Sequence, residues 1–502
     1  HKDNFYHTLE VVDNISKQFR ASRGYTLREM RENFKNIIRS FAAIPRRKEK
    51  KVRVGVVGEI YVKYASFANN GLEKFLAEQG CEVMVPGLLG FLMFKVDARI
   101  QDFLIYGGSR VKYLVATKLL NYLEKIEQVY GIRKEEITGF GANVNPLGLS
   151  PFLKEYLAGH LDVLCAYPDR NYTALRRAIS AYTGAPAEHI LVGNGSTELI
   201  SAGIQAVHPK DAVVLGPAYS EYERELSLVG SRMHYYDLKA SEDFHLDVED
   251  LEKFITEDIF SHDTDTIPGK SIPCLPQLLV LCNPNNPTSS AITTEQMKRL
   301  LSLCKRNGIL VMADETYAEF APCLSDITAI PLTESYDNLI VLRGVSKFWA
   351  APGLRLGYAV TGNRKLQEQI NAAKNPWTVS SLADAAGQVM FTDTEYINRT
   401  RSLIREEREY CVSFLSELPG LKVFPAYANF VLVRILKQGI TAGDIFEAAI
   451  RKKMMIRDCS SFHSLDESFF RFCFMRHEDN VRLMECIKDV IGGSFISAPF
   501  SQ

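Results

Sequence analysis

Arg343-Gly344-Val345-Ser346-Lys347, followed by Pro352-Gly353-Leu354-Arg355-Leu356-Gly357, is the stretch on which the fold turns. It comes directly after the apolar run Asn338–Leu342. A lysine just past a buried strand can be held in a cleft, where a lowered pKa makes it a nucleophile toward an aldehyde. Arg355, eight positions later, can reach round to a phosphate as a bidentate donor. Alone, a lysine near a loop reads as an ordinary surface residue. The rest of the chain reverses that reading.

Three more apolar runs, His189–Gly193, Leu278–Leu281 and Gly308–Ala313, also end in polar or glycine-rich clusters. Continuous Val/Ile/Leu runs alternating with helical stretches point to a largely parallel sheet buried on both faces. Such sheets bind ligands at the carboxyl ends of their strands, where these clusters fall. Cys282-Asn283-Pro284-Asn285-Asn286-Pro287 could be a plain Asn-Pro turn. Asp314, in Ala313-Asp314-Glu315-Thr316-Tyr317, could simply cap a helix. Gly193-Asn194-Gly195-Ser196-Thr197-Glu198 offers backbone amides and hydroxyls for an anion, or an ordinary N-cap. Together, in this order and spacing, they read as one site.

The 502 residues suffice for two or three folding units. Hydrophobic residues are 46% and charged residues 24%, a globular balance, and the net charge is −1. Without a basic surplus, neither nucleic acid nor a membrane surface is the expected partner, which leaves a small molecule. The ten cysteines are scattered singly, with no Cys-x-x-Cys pair and no metal-ligand spacing, so no metal is expected. Cys282 and Cys473 lie in apolar runs and read as buried thiols. No apolar run approaches the ~20 residues of a membrane helix. Nothing after His1 resembles a signal peptide, and a cytoplasmic location is expected.

Residues 1–50 read as helix and basic linker, ending in Arg46-Arg47-Lys48-Glu49-Lys50-Lys51. Residues 51–130 read as a partial α/β accessory module, with strands near Val52–Gly58 and Cys81–Pro86 and a helix at about 70–79. Val57-Gly58-Glu59-Ile60-Tyr61, Phe67-Ala68-Asn69-Asn70 and Glu78-Gln79-Gly80 resemble a segment of 2-hydroxyacyl-CoA dehydratase and activator proteins. Those families ligate iron–sulfur clusters through several cysteines. Residues 1–130 hold only Cys81, so that chemistry is not carried over.

Residues 131–502 resemble the fold-type I, class I/II aminotransferases, in the branch of histidinol-phosphate aminotransferase and threonine-phosphate decarboxylase. The resemblance implies an α/β fold with a large domain near 175–380 that carries a mostly parallel seven-stranded sheet. A small α+β domain would come from about 131–170 and 385–502. It implies pyridoxal phosphate as cofactor, carried on Lys347. Asp314 would pair with the ring nitrogen, Asn286 and Tyr317 would hydrogen-bond its O3′, and Tyr219 would stack on the ring. Ser196, Thr197, Ser346 and Arg355 would hold the phosphate, and Arg471 the substrate carboxylate. Tyr167 would cross to the cofactor of a second subunit, implying a homodimer. The family usually places Ser or Thr where this chain has Gly344, so weaker cofactor binding is expected.

Transamination would break Cα–H, with Lys347 shuttling the proton. Decarboxylation would break the bond to the carboxylate, which a tight carboxylate clamp opposes. Phe140–Gly148, Lys347–Pro352 and Pro376–Val379 resemble threonine-phosphate decarboxylases, placing Asn143 and Asn145 near the substrate. The expected activity is amino transfer from an amino acid or phosphorylated amine to a keto acid. A phosphothreonine decarboxylase-type lyase stands close behind. A non-catalytic regulatory relative is the third reading, opposed by intact Lys347, Asp314, Asn286 and Arg355.

Overall fold

The computed structural model describes residues 136–259 and 275–493, Ile132, and two short strands, β1 (Arg53–Gly55) and β2 (Glu82–Met84). The helices expected within 1–50 and at about 70–79 lie outside the described residues. The chain divides into two units, His1–Glu124 and Lys125–Gln502. In the first, β1 and β2 pair in parallel, with Arg53 opposite Glu82.

The second unit begins with β3 (Thr138–Gly139) and then builds β4 (Ile190–Gly193), β5 (Asp211–Gly216), β6 (Arg232–Asp237), β7 (Leu278–Cys282), β8 (Leu310–Asp314), β9 (Leu339–Gly344) and β10 (Gly357–Val360). Strands β4 to β10 form one seven-stranded sheet in the order β4-β10-β9-β8-β7-β5-β6. Pairing is parallel from β6 through β9, while β10 runs antiparallel to both β9 and β4. The fold is the expected α/β class.

Burial explains why these runs become strands. Leu278–Leu281 and Leu339–Leu342 are fully shielded, as helices covering both faces require. Each such side chain contributes about 1.5–3 kcal/mol of burial. The helix Thr294–Arg306 is typical of the layer: its Thr293/Gln296 capping box sets the start, and Met297, Leu300, Leu301 and Cys304 face inward. β6 differs because it is the edge strand, burying only Tyr236 of Arg232–Asp237.

Strands β11 (Leu421–Val423), β12 (Phe430–Ile435), β13 (Met454–Met455), β14 (Arg457–Asp458) and β15 (Phe469–Cys473) follow. A four-stranded antiparallel sheet runs β11-β12-β15-β14, and β13 pairs with β3. Phe430, Phe470, Phe472 and Phe474 fill its core. β11 follows the Pro419-Gly420 turn, and β12 buries Phe430–Val433 and Ile435.

Apolar runs alone ended β8 and β9 too early. The ladders continue to Asp314 and Gly344, so the strands themselves deliver polar groups to the carboxyl edge of the sheet.

Candidate active site

Five segments converge at that carboxyl edge. Asp314, the last residue of β8, is 5% exposed. Its Oδ1 accepts from the Thr316 amide (3.0 Å) and hydroxyl (2.5 Å), and its Oδ2 accepts from the Tyr222 hydroxyl (2.7 Å). Burial raises its pKa above the carboxylate norm, and these three donors pull it back. Among the described residues, no lysine, arginine or histidine pairs with it.

Lys347 lies beyond β9, on the turn that follows Gly344. Its Nζ donates to the Ala142 carbonyl at 2.7 Å. Burial lowers its pKa, and the nearby Arg471 guanidinium lowers it further. Both effects favour the neutral amine, the state a nucleophile or base requires. The segment Gly141–Asn145 straps across the site. The Gly141 carbonyl accepts from Arg471, the Ala142 carbonyl from Lys347, and the Asn145 amide donates to the Lys347 carbonyl at 3.0 Å. Asn143 donates to the Tyr317 hydroxyl at 3.4 Å, and its Oδ1 is buried with no partner.

Arg471 sits mid-strand on β15, 5% exposed. It donates to Asn286 Oδ1 and packs over the Phe430 ring at 5.0 Å. Its Nε has no partner, and no carboxylate pairs with it among the described residues. Asn283 holds the backbone carbonyls of Ile292 and Ile327, and Asn285 that of Pro217, while Asn285 Oδ1 is buried with no partner. Of the three asparagines, only Asn286 is turned to the arginine.

The anion end is built on the helix Gly195–Val207, which has no side-chain N-cap, so its first amides are left open. The Arg355 guanidinium lies over this end, 3.2 Å from the Asn194 carbonyl. A Cβ on Gly195 would come within 2.5 Å of Arg355, and one on Gly357 within 2.5 Å of the Gly195 carbonyl carbon. Both glycines keep the cradle open. The hydroxyls of Ser196, Thr197 and Ser346 carry no hydrogen bond within the described residues. Where a side chain at Gly344 would project, the Ser196 hydroxyl already stands, 3.3 Å from the Cβ position.

Tyr219 is 37% exposed and meets Tyr222 edge-on at 5.7 Å. Two expected residues sit differently from the rest. Tyr167 is 80% exposed, and its ring meets that of Trp377 at 4.9 Å. Asn145 spends its side chain on Phe348, Tyr396, Thr400 and Leu147, leaving nothing for a ligand. Residue-type reasoning also missed Tyr222, the Gly141 and Ala142 carbonyls, and Asn429, which anchors the Asn143 carbonyl at 3.0 Å. Only the Tyr219-x-x-Tyr222 spacing at a helix start could have flagged one of them.

The donor set fits pyridoxal phosphate. Open helix amides, free hydroxyls and an arginine suit its phosphate, a cation-free buried carboxylate suits a protonated ring nitrogen, and an amine of lowered pKa suits its aldehyde. Arg471 adds a place for a second anion.

Comparison with known proteins agrees. Residues 135–487 match the family described as aminotransferase class I and II. A protein of Caldanaerobacter subterraneus subsp. tengcongensis, named provisionally as a threonine-phosphate decarboxylase, is 35% identical over 69% of this chain and 88% of its own. The threonine-phosphate decarboxylase of Salmonella typhimurium is 31% identical over 73% and 94%. The crystal structure of the histidinol-phosphate aminotransferase from Clostridium acetobutylicum superposes with a TM-score of 0.64 at 27% identity, covering 71% of this chain and 100% of that one.

Proposed function

The chain belongs to the class I and II aminotransferase family and is a pyridoxal-phosphate-dependent enzyme; on that premise we propose that it transfers an amino group from an amino acid or phosphorylated amine to a keto acid. The observation that carries this reading is Arg471, a buried guanidinium tied to Asn286 and lacking any carboxylate partner among the described residues. A substrate carboxylate seated there stays as an anion through amino transfer. Decarboxylation would turn that anion into neutral CO₂ and take the charge partner from Arg471 within the closed complex.

Bound cofactor supplies an aldehyde for the substrate amine and a ring that delocalises a carbanion. Ser196, Thr197, Ser346 and Arg355 would hold its phosphate, Asp314 its ring nitrogen, Asn286 and Tyr317 its O3′, with Tyr219 against its face. Lys347 would carry it, and its amine would serve as the base for the proton on substrate Cα. The Ala142 carbonyl steadies that amine at 2.7 Å. Asn143, with its free Oδ1, would face the substrate, while Asn145 fixes the strap that holds Lys347.

A second reading follows from the two decarboxylases above. When a substrate's phosphate, rather than its carboxylate, occupies Arg471, the carboxylate is free to leave. A single turnover of loaded enzyme without keto acid separates the two, using phosphothreonine, histidinol phosphate and common amino acids. Cofactor recovered in its amine form, with a keto product and no CO₂, establishes transamination. CO₂ release with the aldehyde form restored establishes the lyase. Lys347→Ala abolishes the visible absorption of bound cofactor; a surviving band sinks the choice of lysine.

The same reading makes the active unit a homodimer. Tyr167, Leu161, Leu164, Phe152 and Trp377 are large apolar residues left exposed, and Tyr167 would reach the partner's cofactor. We assign the large domain to about 175–380, the small one to about 131–170 and 385–502, and an accessory role to 51–130. A cytoplasmic location is consistent with finding no helix long and apolar enough to cross a membrane among the described residues.

A further inference from the structure

We propose that Tyr222 is a positioning residue whose hydroxyl holds Asp314 oriented and charged toward the cofactor's ring nitrogen. This rests on the assignment of Asp314 above and extends it to a residue that touches no ligand.

The two oxygens of Asp314 are held unequally. Oδ1 takes both Thr316 donors, a local turn that residues two apart can make in many settings. Oδ2 has one donor, the Tyr222 hydroxyl at 2.7 Å, supplied from 92 positions away in the chain. Tyr222 is fully buried, so its bond to Asp314 lies in a low-dielectric setting. Its helix, Ser220–Leu228, begins one residue after Tyr219, so a single turn sets both the ring-stacking face and the acid. The two tyrosine rings meet at 89°.

The groups facing Asp314 leave this bond without a substitute. Cys282 is buried with its thiol pushed well above its ordinary value, so it stays neutral. Glu315 is engaged by Arg343 at 2.8 Å on the far side. Tyr317 and Tyr219 are both raised by burial and remain protonated. The charge on Asp314 thus rests on neutral donors until a ring N–H arrives. A carboxylate has about four acceptor sites, and three donors leave one for that N–H.

The test is Tyr222→Phe, which removes one oxygen and keeps the ring. Two probes are titrated into cofactor-free protein: pyridoxal phosphate, and the analogue in which carbon replaces the ring nitrogen. Pyridoxal phosphate should bind about tenfold more weakly, the scale of one charge-assisted bond, and the analogue should stay within about twofold of native. A ¹⁵N label on the ring nitrogen should report reduced protonation in the variant. Equal losses for both probes mean a packing role and overturn the proposal, as does an unchanged pyridoxal phosphate affinity. If the variant fails to fold, the native protein still decides. Native protein that binds both probes equally shows no charged contact at the ring nitrogen, and the proposal falls. Native protein that binds neither probe overturns the cofactor assignment as well.

Discussion

Two arginines lie almost equally deep in this molecule, at 3% and 5% exposure, and are satisfied in opposite ways. Arg343, on β9, gives two hydrogen bonds to Glu315 Oε2 and one to Thr328, whose hydroxyl closes the loop back to Glu315 at 2.8 Å. Arg471, on β15, has an amide oxygen, a backbone carbonyl, an aromatic face and one bare N–H. Burying a guanidinium is tolerable when an anion comes with it. For Arg343 the anion is part of the chain. For Arg471 the described residues supply none, and on the function proposed above a ligand's anion would complete it.

The largest effect should come from Arg343→Leu, which strands Glu315 and costs about 3–5 kcal/mol of stability by denaturant titration. A small loss would mean that the pair adds little to the fold. Arg471→Leu should behave inversely. We expect kcat/KM for carboxylate-bearing substrates to fall roughly 100-fold, about 3 kcal/mol, with Tm unchanged or raised. A clear drop in Tm would show that Arg471 also belongs to the scaffold.

The same variant should move a titration. Lys347 has a pKa lowered first by burial and then by Arg471. Removing the positive neighbour makes protonation easier, so the pKa rises back toward the ordinary lysine value. The rate at which cofactor-free protein captures pyridoxal phosphate should then need higher pH to reach its plateau. A shift to lower pH would contradict the placement. The smallest effect expected is from Gly344→Ala. Its Cβ would press on the Ser196 hydroxyl at 3.3 Å and weaken cofactor affinity a few-fold. Tighter binding would mean that Ser196 does not face the phosphate.

Much of this was legible beforehand because function coincides with strand ends. The apolar runs leading to Asn283, Asp314 and Lys347 are continuous, so their polar terminations stand out. β6 carries little signal because Arg232–Asp237 is an edge strand and stays half-exposed. β10 is short, and nothing in Gly357–Val360 says that it inserts antiparallel between β4 and β9. Asn145 and Tyr222 escaped for a related reason. Asn145 looks like a ligand-facing amide yet is consumed by Tyr396 and Thr400, some 250 residues away. Tyr222 looks like an ordinary helix residue, and only the tertiary fold brings Asp314 to it. Residue type and spacing locate a site; they do not say which polar groups the fold has already used.

The place of β4 in the sheet has a consequence for how the protein is made. The strand leads into the helix whose open amides take the anion, yet its sole neighbour in the sheet is β10, with Gly193 opposite Gly357. A ribosome adding about 5–20 residues per second takes on the order of 10 s to travel between them. Through that interval β4 has no strand to pair with, and the anion cradle has no Arg355. On the function proposed above, the nascent chain would gain its capacity to retain cofactor in one late step, as the segment from Lys347 to Val360 emerges and β10 pairs with β4.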